Sequence, residues 1–252
     1  MLQGKSRWKT VAVGAAVAVV AVLGWLVYRH GRDAAMLRLA PDSLPENASL
    51  YAFAVSGGKG VFARNCAGCH GADMKGDRKT GVPDLTDVDW QFGEGRVAEI
   101  EQIALYGIRA ADHRTKNQAD MPAFGREQPY ARYSIPTLTP QEMDDIATYI
   151  GVTQGREAEP EALKRGIALF DTKGQCFDCH GNDMGGDTFI GAPNLADKVW
   201  VNGDGSKKAI IDIIAQGRVG VSPMFKNTLS PAQIRAVAAY IHSKAIPPPP
   251  AA

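Results

Sequence analysis

The chain has 252 residues and a formal net charge of +1, from 28 basic and 27 acidic side chains. This length holds two small globular units and a membrane segment, while the even charge excludes a binder of nucleic acid or another polyanion. All four cysteines lie in two C-x-x-C-H pentads, so none is left for a structural disulfide or a free thiol.

In chain order, the first feature is an uninterrupted uncharged run from Thr10 to Tyr28, built mainly of Val, Ala, Gly and Leu. As a helix it reaches ~28 Å, enough to cross a hydrocarbon core. Lys5, Arg7 and Lys9 precede it, Arg29 and Arg32 follow it, and Trp8, Trp25 and Tyr28 stand where interfacial aromatics belong. A signal peptide has a shorter apolar region, of ~7–15 residues, that ends in small residues. This run ends in Trp25-Leu26-Val27-Tyr28-Arg29, so residues 1–32 read as a retained anchor with a helix over about 10–28. Residues 33–50, with Pro41 and Pro45, read as a tether.

From there one unit is written twice, over 51–151 and 161–246, with 152–160 as linker and 247–252 as a proline-rich tail. The pentads superpose at the offset that carries Cys66 onto Cys176, and the match extends beyond them without a gap. Asn65 to Met74 aligns with Gln175 to Met184, and Gly81-Val82-Pro83-Asp84-Leu85 aligns with Gly191-Ala192-Pro193-Asn194-Leu195. Trp90 then meets Trp200, Gly93 meets Gly203 and Gly107 meets Gly217. Helices are predicted into each pentad, over Gly58 to Asn65 and Glu161 to Phe170. Closing helices begin at Thr139-Pro140-Gln141-Glu142 and Ser230-Pro231-Ala232-Gln233, both capping boxes with proline at the first helical position.

In Cys66-Ala67-Gly68-Cys69-His70 and Cys176-Phe177-Asp178-Cys179-His180, the thiols can form thioethers with porphyrin vinyl groups and the histidine can ligate the iron. C-x-x-C pairs also build zinc sites. Here, however, both pairs carry an adjacent histidine and each belongs to its own repeat, so two covalent haem c groups are expected. Bacterial c-type attachment takes place outside the cytoplasmic membrane, which makes the chain a single-pass inner-membrane protein with residues beyond about 32 in the periplasm. A sixth ligand is sought in a loop ahead of each closing helix: Met121 for the first haem and Met224 for the second. His113 offers the first haem an alternative, whereas Met74, Met184 and Met143 read as packing residues. The carbonyls of Pro83 and Pro193, which follow their histidines at the same spacing, are candidate acceptors for the ligand imidazoles, and Trp90 and Trp200 could reach the propionates. The expected fold is mainly α, with one N-terminal transmembrane helix followed by two tandem class I cytochrome c domains.

The run Gly107-Ile108-Arg109 through His113 to Met121-Pro122-Ala123-Phe124-Gly125 resembles the CcoP/FixP dihaem subunit of cbb-type, C-family haem-copper cytochrome c oxidases. The segments Pro83-Asp84-Leu85-Thr86-Asp87 with Trp90, and Gly191 to Leu195 with Trp200, are similar too. In that family's second domain, methionine directly follows a Gly-Val pair and precedes proline. Here Gly220-Val221 is followed by Ser222-Pro223-Met224, which moves the sulfur two residues along. The resemblance implies electron transfer from a periplasmic cytochrome c or a bc-type complex to the catalytic and other subunits of a membrane oxidase, with no oxygen chemistry on this chain. Sequence alone leaves two other readings: a tethered shuttle or dehydrogenase subunit, and a dihaem peroxidase.

Overall fold

A computed structural model describes residues 3–128 and 135–245, so the expected tail lies outside the described residues. It is mainly helical, and among the described residues β-structure is limited to isolated bridges. The first helix, α1 (Gln3–Arg38), includes a segment long and apolar enough to cross a membrane, and residues 11–31 are exposed along its flank.

The expected tether is largely structured. Ala34, Ala35, Met36 and Leu37 favour continuation of α1, which stops short of Pro41. A 3-10 turn (Pro41–Ser43) follows, and α2 (Ala48–Asn65) is capped by Asn47, whose Oδ1 accepts from the Leu50 amide at 3.1 Å. Burial explains the order: Met36 and Leu44 are fully enclosed in a cluster with Leu50, Tyr51, Ala54 and Ala239. Arg235 fixes the end of α1 by donating to the carbonyls of Met36 at 3.2 Å and Leu39 at 3.0 Å, while its guanidinium pairs with Glu101. These carbonyls belong to a helix C-terminus, where intrahelical donors run out; that of Met36 also accepts from the Leu39 amide at 3.3 Å.

Each pentad ends in one helical turn, α3 (Ala67–His70) and α7 (Phe177–His180). The first repeat continues with α4 (Val97–Tyr106) and α5 (Pro140–Thr153), the second with α6 (Pro160–Asp171) before its pentad and α8 (Lys207–Gln216) and α9 (Pro231–Ala245) after it. The closing helices are exchanged between the repeats. Helix α9 packs on α2 and α4, and α5 packs on α6 and α8. One core therefore joins Phe62, Val97 and Ile100 to Val237 and Ile241, and the other joins Ile146 and Ile150 to Phe170, Ile210 and Ile214. The connection from α5 to α6 is short, residues 154–159, which favours an antiparallel helical hairpin.

Glycines let the exchanged helices touch. A Cβ on Gly58 would overlap the Ala236 carbonyl oxygen, and one on Gly166 the Asp145 carbonyl oxygen. In the α5–α6 pair, Asp145 is almost fully buried and receives Arg165 Nε at 2.7 Å and Nη2 at 2.9 Å. These bonds hold its carboxyl below the usual carboxylate range.

Gly58→Ala should lower stability by ~1–3 kcal/mol through overpacking. Gly57→Ala, whose Cβ would come no closer than 3.9 Å to Ala236 Cβ, should be neutral or mildly stabilising. Denaturant unfolding followed by far-UV circular dichroism measures both, and equal costs would contradict the crossing.

Candidate functional site

The two pentads are built alike. Helix α2 runs directly into the first, with the Cys66 amide donating to Phe62 O at 2.8 Å, and the His70 amide closes its turn on Cys66 O at 3.0 Å. The His180 amide does the same on Cys176 O at 2.9 Å. The chain then doubles back through Gly71 (φ +77°) and Gly181 (φ +74°), a left-handed region that glycine enters freely. Short bridges, Asp77 with Val82 and Asp187 with Ala192, bring Pro83 and Pro193 under the imidazoles. His70 Nδ1–H donates to Pro83 O at 3.3 Å and His180 Nδ1–H to Pro193 O at 2.9 Å. This tautomer leaves the Nε2 lone pair of each ring available to a metal. Burial lowers both imidazole pKa values and favours the neutral, ligating form. It also pushes the Cys66 thiol up to about 11 and the Cys176 thiol up to about 12.

All six residues line one continuous, largely apolar cavity of about 1680 Å³, together with Trp90 and Trp200. Among the described residues, no group of three or more His, Cys, Asp or Glu side chains is arranged to hold a metal ion, so the four cysteines do not converge on a zinc site. A large apolar chamber bordered by paired thiols and by imidazoles with a free Nε2 fits a covalently attached porphyrin at each pentad. Met74 and Met184 are buried in the cores.

The methionine loops follow the exchanged helices, so each packs against the repeat opposite to the one sequence suggested. Met121 bridges to Arg218 beyond α8, and the amides of Phe124 and Gly125 donate to Ile214 and Ala215 at 3.0 and 3.1 Å. Met121 thus packs with the core that holds Cys176. The loop containing Met224 crosses the other way: Ser222 bridges to Ile108, and Phe225 donates to Ala104 at 2.9 Å, against the core that holds Cys66. Met224 is half-buried and is not among the residues lining the cavity, whereas Ser222, Pro223 and Phe225 are. His113 is 84% exposed beside Asp112 and lies away from the cavity.

Sequence reasoning passed over Arg109. This residue adopts φ +51° and donates to the carbonyls of Ala119 and, at 2.5 Å, Gly220, so one guanidinium joins the two crossing loops. Asp112 adds a second tie through Lys226 and Arg114, which hold its carboxyl well below the usual range. The available signal was the stretch Arg109 to Asp120, which the second repeat lacks.

A family model described as cytochrome c matches residues 55–154, and one described as cytochrome c oxidase, cbb3-type, subunit III matches residues 161–241. The cbb3-type cytochrome c oxidase subunit FixP of Bradyrhizobium sp. (strain ORS 278) is 34% identical over 218 residues, which is 85% of this chain and 69% of the relative. FixP of Sinorhizobium medicae (strain WSM419) is 34% identical over 209 residues, 82% of this chain and 67% of that one. The corresponding subunit CcoP of Azospirillum brasilense is 33% identical over 208 residues, 80% of this chain and 66% of the relative.

Arg109→Ala removes charge-assisted bonds from both loops at once. Hydrogen exchange at the Met121 and Ser222 amides should accelerate about tenfold, in line with ~1–2 kcal/mol for such bonds at a half-exposed position. Protection in α5 and α6 should not change, and an effect spread evenly over the chain would contradict the clamp.

Proposed function

This chain belongs to the FixP/CcoP family of cbb3-type cytochrome c oxidase subunits, and from that premise we propose that its globular part stands on the periplasmic face of a bacterial inner membrane, taking electrons from a periplasmic cytochrome c or a bc-type complex. It is a membrane-anchored dihaem cytochrome c, with two covalently bound haem c groups, that transfers electrons to the oxidase and partners with the other oxidase subunits. The haems supply a reversible one-electron iron couple whose potential depends on axial ligands, hydrogen bonding and burial.

The chain's own residues set those conditions. Cys66 and Cys69 would hold one porphyrin and Cys176 and Cys179 the other, with His70 and His180 offering their Nε2 to the iron. Pro83 and Pro193 orient the imidazoles from behind, which keeps Nε2 aimed and basic. Trp90 and Trp200 line the chamber, and their indole N–H groups would be the donors to haem propionates. Met121, packed with the core that holds Cys176, would offer its sulfur to the haem at His180. The observation that carries this reading is the single cavity shared by both pentads. A common, mostly apolar chamber brings both pentads onto one space, which suits passage of an electron from one site to the other.

A tagged chain should copurify with a haem-copper catalytic subunit; recovery with a periplasmic dehydrogenase in its place would sink the proposal. A periplasm-dependent reporter fused after residue 50 should be active. Met121→Leu should abolish the near-infrared sulfur-to-ferric-iron charge-transfer band and lower the potential of one haem. A band that persists would remove Met121 from the ligand set.

A further inference from the structure

Ser222-Pro223-Met224-Phe225 stands in the fold where Met121-Pro122-Ala123-Phe124 stands in the other half. Backbone pairing fixes this register at three points. Ser222 and Ile108 exchange hydrogen bonds at 3.0 Å each, as Met121 and Arg218 do at 3.0 and 2.9 Å. The Phe225 amide donates to Ala104 O at 2.9 Å, as Phe124 does to Ile214 O, and the Lys226 amide donates to Leu105 O at 3.3 Å, as Gly125 does to Ala215 O. The acceptor positions 104, 105 and 108 and their counterparts 214, 215 and 218 keep the offset that relates the two pentads. Ser222 therefore occupies the position of Met121, and Met224 that of Ala123.

The cavity wall repeats the correspondence independently. Met121, Pro122 and Phe124 line it from one loop and Ser222, Pro223 and Phe225 from the other, while Ala123 and Met224 are absent from it. Bringing Met224 inward would need a shift of two residues, which breaks four backbone bonds in a loop pinned by Arg109 at Gly220 and by Asp112 at Lys226. A serine hydroxyl is shorter than a thioether and is a hard, weak donor, poorly matched to haem iron. His113 lies away from the cavity, and Met74 is enclosed in the core.

We propose that the haem held by Cys66, Cys69 and His70 has no protein sulfur on its distal side, and that this position takes a small neutral exogenous ligand, a diatomic π-acceptor in the ferrous state, beside the Ser222 hydroxyl. The hydroxyl can donate a hydrogen bond to such a ligand. The two halves thus differ in kind: the Met121 side is closed by its own chain and the Ser222 side is open. This inference rests on the reading that both pentads hold haem.

The test uses the full-length chain, purified in detergent with both haems. A pyridine haemochrome assay giving two haems per chain checks the underlying reading separately, and one haem per chain would overturn that reading instead. Carbon monoxide titrated into the dithionite-reduced protein should bind one haem of the two. Ser222→Met should reduce this to none and double the near-infrared sulfur–iron band, whereas Met224→Leu should leave one carbon monoxide bound and the band unchanged. A wild-type protein with two haems and no carbon monoxide binding would overturn the proposal. So would a Met224→Leu protein that binds two equivalents, and both results stand whether or not Ser222→Met folds.

Discussion

Only the short segment 154–159 connects Thr153 to Pro160, and a chain of that length spans at most about 20 Å even when extended. Helix α5 therefore lies against the helix that follows it, and its place on α2 is left to α9. The rest of the architecture follows from this connection. The loops that precede the closing helices must cross with them, so the shared chamber is lined by both pentads and by both crossing loops. Neither core is complete without residues from both copies.

Local features could be read from the sequence, and long-range ones could not. The spacing of thiols and imidazole, the proline at a fixed spacing beyond each histidine and the capping boxes at Thr139 and Ser230 all act within a turn or a short loop. The apolar anchor was legible too, but its end was not, because Met36 and Leu44 are ordered by Ala239, far along the chain. The exchange left no mark in the pattern, since α5 and α9 present similar apolar faces. For the same reason, the sequence suggested that each methionine loop stays with its own repeat, whereas Met121 packs with the core that holds Cys176. Counting from the cysteines carried Met224 toward a ligand role, whereas register across the bridge to Ile108 counts from a different anchor.

The two halves share a scaffold and differ where the chains cross. Arg109 and Asp112 lie in a stretch present only in the first repeat, and both reach into the loop of the second. The first repeat thereby stiffens the segment that closes its own chamber, although another part of the chain supplies that segment. Haem potentials respond to ligand identity, hydrogen bonding and burial together. With Met121 at one bridged position and Ser222 at its counterpart, the two loops are chemically unequal, whatever the similarity of their pentads.

Arg235 bonds the last helix to the end of the membrane anchor, so the final stretch of the chain settles against one of the earliest. This closure gives biogenesis an order. The first pentad emerges long before α9, and until α9 arrives its core lacks Val237 and Ile241. Completion of the first site therefore waits on the second repeat.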